Sequence, residues 1–519
     1  MNARSRREFL ADVSHGMLIA GLGSALAADL GLTSAHAAEG PEGHLTFGPL
    51  EPLVGLMQET PPDKLLPLLV DRISNGTELK QLVAAGALAN ARSFGGEDYV
   101  GFHTMMAMAP AWHMSGEMPG DKKALPVLKV LYRNTKRIQE VGGKAAEALK
   151  PVEPGDLPKG RPSDTIREAV IRKDKAAAEQ AFAAVCKSGA DEAFNHLLDV
   201  VEDCLDVHRV VLPWRAWALL DIVGKEQAHT MLRQSVRYCV KNENPGYRKQ
   251  CAPARELVTK LFDQHKFAGR KLGNRTADDA WMDKFSDTLF TSTPAQATEA
   301  VAGALAEGFA PEVIGEAISL AANQLVLRDV GRLQNQTSPG KPVGSVHGDS
   351  IGVHACDSAN AWRNMAKVGS AQNQVACLLL SAYQVARDRI ERGGEFLTWK
   401  PRPWAEHLET VKGKEPDELV KEAEAAIREN DQARACAVVA RYGQAGGAAR
   451  AMFDLLLRYA VSEEGALHAE KYYRTVSEEF ALTRPAFRWR QLVALARVTA
   501  SEFGQPAGGY ADACHLLKV

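Results

Sequence analysis

Apolar residues recur at spacings of three and four along most of this chain, which is the pattern of amphipathic α-helices. One such series is Ala193, Leu197, Leu198, Val201 and Leu205. Strand-like alternation of Val, Ile and Thr is nearly absent. Segments rich in Pro, Gly and Lys interrupt the helical pattern at 150–162, 274–294, 333–345 and 393–415. The pattern predicts an all-α fold.

The sequence contains a weak internal repeat of about four units with three helices each. Each unit opens with a helix ending near a glycine, at 62–76, 175–189, 295–308 and 431–446. An alanine-rich helix follows at 78–91, 191–201, 311–327 and 448–461. A short acidic segment, a histidine and a third helix complete the unit. We predict a helical-repeat array around a central pocket, with an N-terminal half at 38–270 and a C-terminal half at 271–519.

One histidine occupies the same place in each unit, five residues after an acidic residue. The four histidines are His103, His208, His354 and His468, and the acids are Asp98, Asp203, Asp349 and Glu463. Five residues turn a helix through about 500°, so the acid and the histidine do not share a face. An N-cap role fits Asp98 and Asp349, whereas Asp203 fits it poorly. A carboxylate that fixes the histidine tautomer is the alternative.

Repeats around one axis bring equivalent residues together, so the four histidines predict a shared pocket. Neutral imidazole is the commonest protein ligand for Zn, Fe and Cu. The candidate catalytic residues are His103, His208, His354 and His468. The candidate metal ligands, taken from the neighbourhoods richest in further ligands, are His103, His113, His347 and His354. The alternative is that these histidines are core residues with ring nitrogens bonded to backbone carbonyls or carboxylates.

Tryptophans and arginines follow the histidines and are candidates for ligand binding. The candidate cofactor-binding residues are Arg215, Arg363, Trp112 and Trp362. The arginines suit an anionic substrate group or a haem propionate, and the tryptophans suit an apolar pocket. Methionines crowd His103 and His113, which is typical of copper(I) sites, of an axial haem ligand and of adaptable core packing. Solvated arginines and packed tryptophans remain alternatives. Iron or haem is the expected cofactor, if one is bound.

Several site types are disfavoured by missing motifs. None of the eight cysteines lies in a CxxC or CxxCH pair, which argues against zinc knuckles, a thioredoxin site and covalent c-type haem. HExxH and Walker motifs are absent, and no Gly-x-Gly-x-x-Gly follows a strand. The net charge of −2 gives no electrostatic footprint for nucleic acid. No run in the mature chain approaches the roughly 20 apolar residues of a membrane span.

The N-terminus resembles a twin-arginine export signal at Ser5-Arg6-Arg7-Glu8-Phe9-Leu10. A mildly apolar stretch follows, and Ala35-His36-Ala37-Ala38 fits a small-x-small cleavage site. The resemblance implies a signal peptide at 1–37, the twin-arginine export machinery as a partner, and a periplasmic or otherwise exported mature protein. This route carries folded proteins, often because a cofactor is loaded in the cytoplasm.

Two further segments, His354-Ala-Cys-Asp-Ser-Ala-Asn-Ala-Trp and Gly101-Phe-His103-Thr-Met-Met-Ala, resemble the questin oxidase-like proteins. Those are helical, histidine-bearing proteins associated with oxidative ring opening of aromatic polyketides. The resemblance implies an oxidative helical enzyme with histidines at its core. We therefore expect an oxidoreductase that acts on a small aromatic or apolar molecule. The rival hypothesis is a non-enzymatic helical scaffold for a partner protein, and the direction in which the histidines point discriminates the two.

Overall fold

The computed structural model describes residues 43–519, so the predicted signal peptide at 1–37 lies outside the described residues. The described chain is all-α, as predicted: it forms 23 α-helices and no β-strand. No described helix is long and apolar enough to cross a membrane.

The first half of the described chain contains eleven helices. They are α1 (Glu51–Glu59), α2 (Pro62–Ser74), α3 (Leu79–Phe94), α4 (Tyr99–Glu117), α5 (Leu125–Glu140), α6 (Pro162–Ile171), α7 (Lys175–Cys186), α8 (Ala190–Val201), α9 (Val207–Val223), α10 (Ala228–Lys241) and α11 (Pro245–His265).

The second half contains twelve helices. They are α12 (Asp279–Thr291), α13 (Pro294–Ala306), α14 (Pro311–Arg328), α15 (Ile351–Val368), α16 (Ala371–Arg392), α17 (Ala405–Glu409), α18 (Pro416–Arg428), α19 (Gln432–Gln444), α20 (Ala449–Ser462), α21 (Ala469–Leu482), α22 (Trp489–Glu502) and α23 (Tyr510–Leu517).

Four helices form a closed ring at the centre of the molecule. Helix α4 contacts α9, α9 contacts α15, α15 contacts α21, and α21 contacts α4. These are the third helices of the four predicted units, and each half of the chain supplies two of them. Outer helices pack against the ring, among them α3 on α4 and α9, and α14 and α16 on α15. The equivalence of the four units as repeats stays a prediction.

Two glycines allow the ring helices to approach their neighbours closely. A β-carbon on Gly101 would lie 2.5 Å from the Phe94 ring, and one on Gly352 would lie 3.0 Å from backbone atoms of Leu325 and Val326. Each glycine precedes a ring histidine by two residues. The first turns of α4 and α15 are therefore held at positions that a larger residue would displace.

The acids before the histidines have different roles. Asp98 is the N-cap of α4, because its Oδ1 accepts a 2.8 Å hydrogen bond from the Gly101 amide, as predicted. The predicted cap at Asp349 is wrong by one residue. Ser350 caps α15, whereas Asp349 forms ion pairs of 2.6 Å with Arg332 and 2.5 Å with Lys341.

The acids in the second and fourth units cap no ring helix. Asp203 forms an ion pair of 2.6 Å with Arg167, and Asp206 caps α9 instead. Glu463 accepts hydrogen bonds from the backbone amides of residues 504 and 505. Within the described chain no carboxylate of these four acids hydrogen-bonds a ring histidine, so a tautomer-fixing role is not seen for any of them.

A candidate four-histidine metal centre

The four repeat histidines meet at one end of the helix ring. Each lies in the first turns of its helix or immediately before it. The ring centroids are 4.8 Å apart for His103 and His208, and 5.7 Å for His208 and His354. They are 4.9 Å apart for His354 and His468, and 5.1 Å for His468 and His103. The four imidazoles therefore form a closed cycle, which we call the histidine cluster.

The Nε2 atoms of the cluster face one another in two pairs, and His354 is not in the set of three that offers mutually close ligand atoms. His103 Nε2 and His208 Nε2 are 3.2 Å apart, and His354 Nε2 and His468 Nε2 are 2.9 Å apart. Three of the residues, His103, His208 and His468, place one ligand nitrogen each within 4.8 Å of the others. Nitrogens about 2.05 Å from one ion are about 2.9 Å apart at 90° and about 3.3 Å apart at the tetrahedral angle. Both observed separations fall in that range.

Backbone carbonyls hold two of the rings in one orientation. His103 Nδ1 lies 2.7 Å from the Tyr99 carbonyl oxygen, and His468 Nδ1 lies 2.5 Å from that of Ala466. A carbonyl oxygen only accepts, so both Nδ1 atoms carry the proton and both Nε2 atoms present a lone pair. His208 Nδ1 lies 3.8 Å from Asp206 Oδ1. That distance is too long for a hydrogen bond, so of the four described cluster residues His103 and His468 alone show the usual arrangement of metal-binding histidines, in which the outer nitrogen is bonded to an acceptor.

A strained turn supplies the carbonyl that holds His468. Gly465, Ala466 and Leu467 have φ values of 58°, 47° and 69°, all in the left-handed region. For residues other than glycine this conformation costs on the order of 1–2 kcal/mol each. Such strain persists only where the surrounding structure enforces it, and it concentrates at functional sites.

Burial keeps the cluster uncharged. It lowers the pKa of His208 to about 4 and that of His354 to about 3. The pKa values of His103 and His468 lie well below the ordinary range, chiefly through burial and then through the charge of Lys471. The positive ends of four helix dipoles meet at the same place and also oppose a positive imidazolium. Neutral imidazole is the form that binds a metal ion.

A layer of further polar residues lies about one turn beyond the histidine cluster along the ring helices. Lys471 and Asp357 follow His468 and His354 by three residues, and both are buried. Burial lowers the Lys471 pKa to about 7 and raises the Asp357 pKa. Thr475 Oγ1 donates a 2.6 Å hydrogen bond to Asp357 Oδ1. Sequence reasoning missed this layer, although three-residue spacing from the histidines was the available signal.

The other two predicted metal ligands lie apart from the cluster. His113 is ten residues beyond His103 on α4, about 15 Å along the helix, and it lines a cavity at the opposite end of the ring. His347 is buried with its Nδ1 3.9 Å from Glu502 Oε1, and it lines a separate cavity of about 290 Å³. Of the four predicted metal ligands, the structure therefore places only His103 and His354 in the cluster. The other two cluster members are His208 and His468.

The predicted cofactor-binding residues are also dispersed. Trp362 is buried and donates a 2.8 Å hydrogen bond to Gln384, and Arg363 forms a 2.5 Å ion pair with Glu479. Trp112 packs against the core. Arg215 lines the cavity at the far end of the ring.

The packing of the cluster suits a single ion better than a haem. The centroids of neighbouring rings lie 4.8–5.7 Å apart around the cycle. A porphyrin would need a much wider gap between these rings.

No family model matches the chain, and no curated protein or solved structure matches it significantly. Function is therefore inferred from the residues of the site.

Proposed function

We propose that this protein is a metal-dependent oxidoreductase that holds one iron ion in the histidine cluster and acts on a small aromatic molecule. The observation that carries the proposal is the convergence of four neutral imidazole rings, whose Nε2 atoms approach in two pairs at 2.9 and 3.2 Å and three of which place a ligand nitrogen within 4.8 Å of one another. Histidines pointing into an outer groove would have favoured the scaffold hypothesis.

The donor set limits the choice of metal. Imidazole suits Zn, Cu, Fe and Ni, whereas Mg and Ca prefer oxygen ligands. Four neutral ligands leave the full charge of the ion uncompensated. The cluster histidines would hold the iron, and the iron would supply the reaction with dioxygen. Iron also agrees with the oxidative chemistry that the resemblance to questin oxidase-like proteins implies.

The surrounding charges favour a negatively charged substrate. Four helix N-termini and the buried Lys471 direct positive potential at the cluster, which the charges of Asp206 and Asp349 partly offset, and we infer that the balance stabilises an anionic ligand there. Tyr99 and Phe102 flank His103, with ring centroids 4.4 and 4.8 Å from the imidazole. Tyr99 is 56% exposed and forms part of the outer rim. A phenol bound as its phenolate matches both the charge and the aromatic rim.

Lys471 is suited to proton transfer in this reaction. With a pKa near 7 it exchanges a proton readily at neutral pH. It lies one turn beyond His468 on α21, on the interior side of the cluster. We infer that it takes up the phenol proton when the substrate binds as an anion. The predicted twin-arginine export agrees with a metal loaded before the folded protein leaves the cytoplasm.

The test compares two histidines of one helix. His103→Gln and His113→Gln change the same side chain at the two ends of α4. Metal analysis of protein purified from its own cells should find iron near one equivalent in the wild type and in His113→Gln, and a large loss in His103→Gln. Oxygen consumption with simple phenols should follow the iron content. Equal iron in both variants, or none in the folded wild type, would overturn the proposal.

A further inference from the structure

The cavity that His113 and Arg215 line lies between the carboxyl-terminal halves of the four ring helices. Its volume is about 530 Å³, and it begins about 9 Å from the histidine cluster, as judged from the rise along the helices. Its lining includes His113, Trp214, Arg215, Trp217, Lys367 and Glu478. The polar layer of Lys471, Asp357 and Thr475 separates it from the cluster.

Two of the residues that line this cavity each have a buried hydrogen-bond donor without a partner among the described residues. Arg215 is 2% exposed, and its Nε has no acceptor among the described residues. Its Nη2 reaches Thr475 Oγ1 at 3.4 Å, a long contact. The indole Nε1 of Trp214 also lacks an acceptor there. Guanidinium and indole nitrogens only donate, so a ligand that satisfies them must bring acceptor atoms.

Glu478, one of the two acidic residues in the lining, is already engaged. Glu478 Oε2 accepts hydrogen bonds of 2.9 Å from Asn360 and 3.0 Å from Asn364. Its Oε1 lies 2.7 Å from Arg474 Nε. Glu478 therefore makes no hydrogen bond to Arg215 among the described residues, although its charge and that of Asp357 partly balance the guanidinium.

The charge balance of the lining is positive. The lining contains three basic residues, Arg215, Lys367 and Arg474, and two acidic residues, Glu478 and Asp221. With His113 neutral, its net charge is +1. Burial lowers the His113 pKa to about 4, so that ring adds no charge at neutral pH. The carboxyl ends of the helices contribute negative potential, which the basic side chains must exceed to hold an anion.

Two indoles give the cavity flat apolar walls. Trp214 and Trp217 both line it, and Trp217 stacks on Phe194 with centroids 4.5 Å apart. The stack fixes the orientation of the Trp217 ring. Planar aromatic molecules pack well on such surfaces.

We propose that this cavity binds a small aromatic carboxylate, with the carboxylate on Arg215 and the Trp214 N–H and the ring against the indoles. A carboxylate accepts several hydrogen bonds and pairs with a guanidinium in a fixed geometry. The site is distinct from the histidine cluster, so its ligand binds without a metal ion.

Calorimetric titration of the full protein with benzoate tests the proposal. Benzoate should bind at least tenfold more tightly than benzamide, which has the same shape without the charge. Trp214→Phe removes the unpartnered N–H and keeps an aromatic ring, and it should weaken benzoate binding severalfold. Trp217→Phe serves as the matched control and should weaken benzoate and benzamide equally. Arg215→Met should abolish the preference for benzoate, with circular dichroism confirming the fold.

A second comparison separates this site from the metal centre. Chelator treatment and His103→Gln should leave benzoate binding unchanged. If benzoate binding disappears with the metal, the anion sits on the histidine cluster and the proposed cavity site is wrong. Absence of benzoate binding to the folded protein, or equal affinity for benzamide, would also overturn it. Neither result bears on iron binding, which is measured separately.

Discussion

Replacing His208 by Gln should change the number of protons that the metal-free protein takes up when it unfolds. In the folded state burial lowers the His208 pKa to about 4, whereas in the unfolded chain it returns to about 6.5. At pH 5.5 the ring is then almost fully neutral when folded and about 90% protonated when unfolded. Wild type should therefore take up about 0.9 proton more than His208→Gln.

The sign of the stability effect follows from the same numbers. Between pH 4 and 6.5 the unfolded state binds more protons at this residue, so its contribution makes the fold less stable as the pH falls. The slope of the unfolding free energy against pH should be about 1.2 kcal/mol per pH unit steeper in wild type than in His208→Gln. The effect begins near pH 6.5 and is complete near pH 4.

Only the difference between the two proteins is diagnostic, because other buried groups titrate in the opposite sense. Burial raises the pKa of Glu202 to about 8 and of Glu502 to about 7, and both carboxyls lose protons on unfolding near pH 5.5. Potentiometric proton uptake on unfolding in urea measures the difference directly. At pH 8 it should vanish. Equal uptake at pH 5.5 would show that folded His208 is charged, which would refute the neutral-ligand reasoning.

Two substitutions test the packing that supports the cluster. Lys129→Met leaves the buried Glu470 carboxylate, 2.8 Å from Lys129 Nζ, without that partner. It should cost about 3–5 kcal/mol in chemical unfolding, against under about 1 kcal/mol for Lys144→Met at an exposed pair. Gly352→Ala should lower both stability and metal content by displacing His354, whereas Gly303→Ala, with open space around it, should stabilise its helix by about 0.5–1 kcal/mol. Unchanged metal content in folded Gly352→Ala would contradict the positioning role.

The helices could be predicted because their amphipathic spacing is a local property. Segments predicted at 175–189 and 431–446 correspond to α7 (Lys175–Cys186) and α19 (Gln432–Gln444). The convergence of the four histidines was also predictable, because equal positions in similar units imply equal positions around an axis. The all-α class follows from the same pattern.

Long-range placement could not be predicted from the sequence. His113 lies close in sequence to the cluster residue His103 and is therefore predicted as a ligand. In the structure it lies about 15 Å further along the helix, at the other end of the ring. The left-handed turn at Ala466 and Leu467 has no local sequence signal, because neither residue favours positive φ. Asp349 and Ser350 are both good caps, and ion pairs with Arg332 and Lys341 decide between them.

X-ray absorption spectroscopy at the iron edge of the protein purified from its own cells tests the central claim most directly. It reports the atoms bound to the metal and recognises imidazole rings by their outer scattering. We predict one non-haem iron with a first shell of nitrogen at about 2.0–2.2 Å and scattering from four imidazoles. The imidazole contribution should fall in His208→Gln. A shell of oxygen or sulfur alone, a porphyrin signature, or a folded protein without metal would contradict the four-histidine centre.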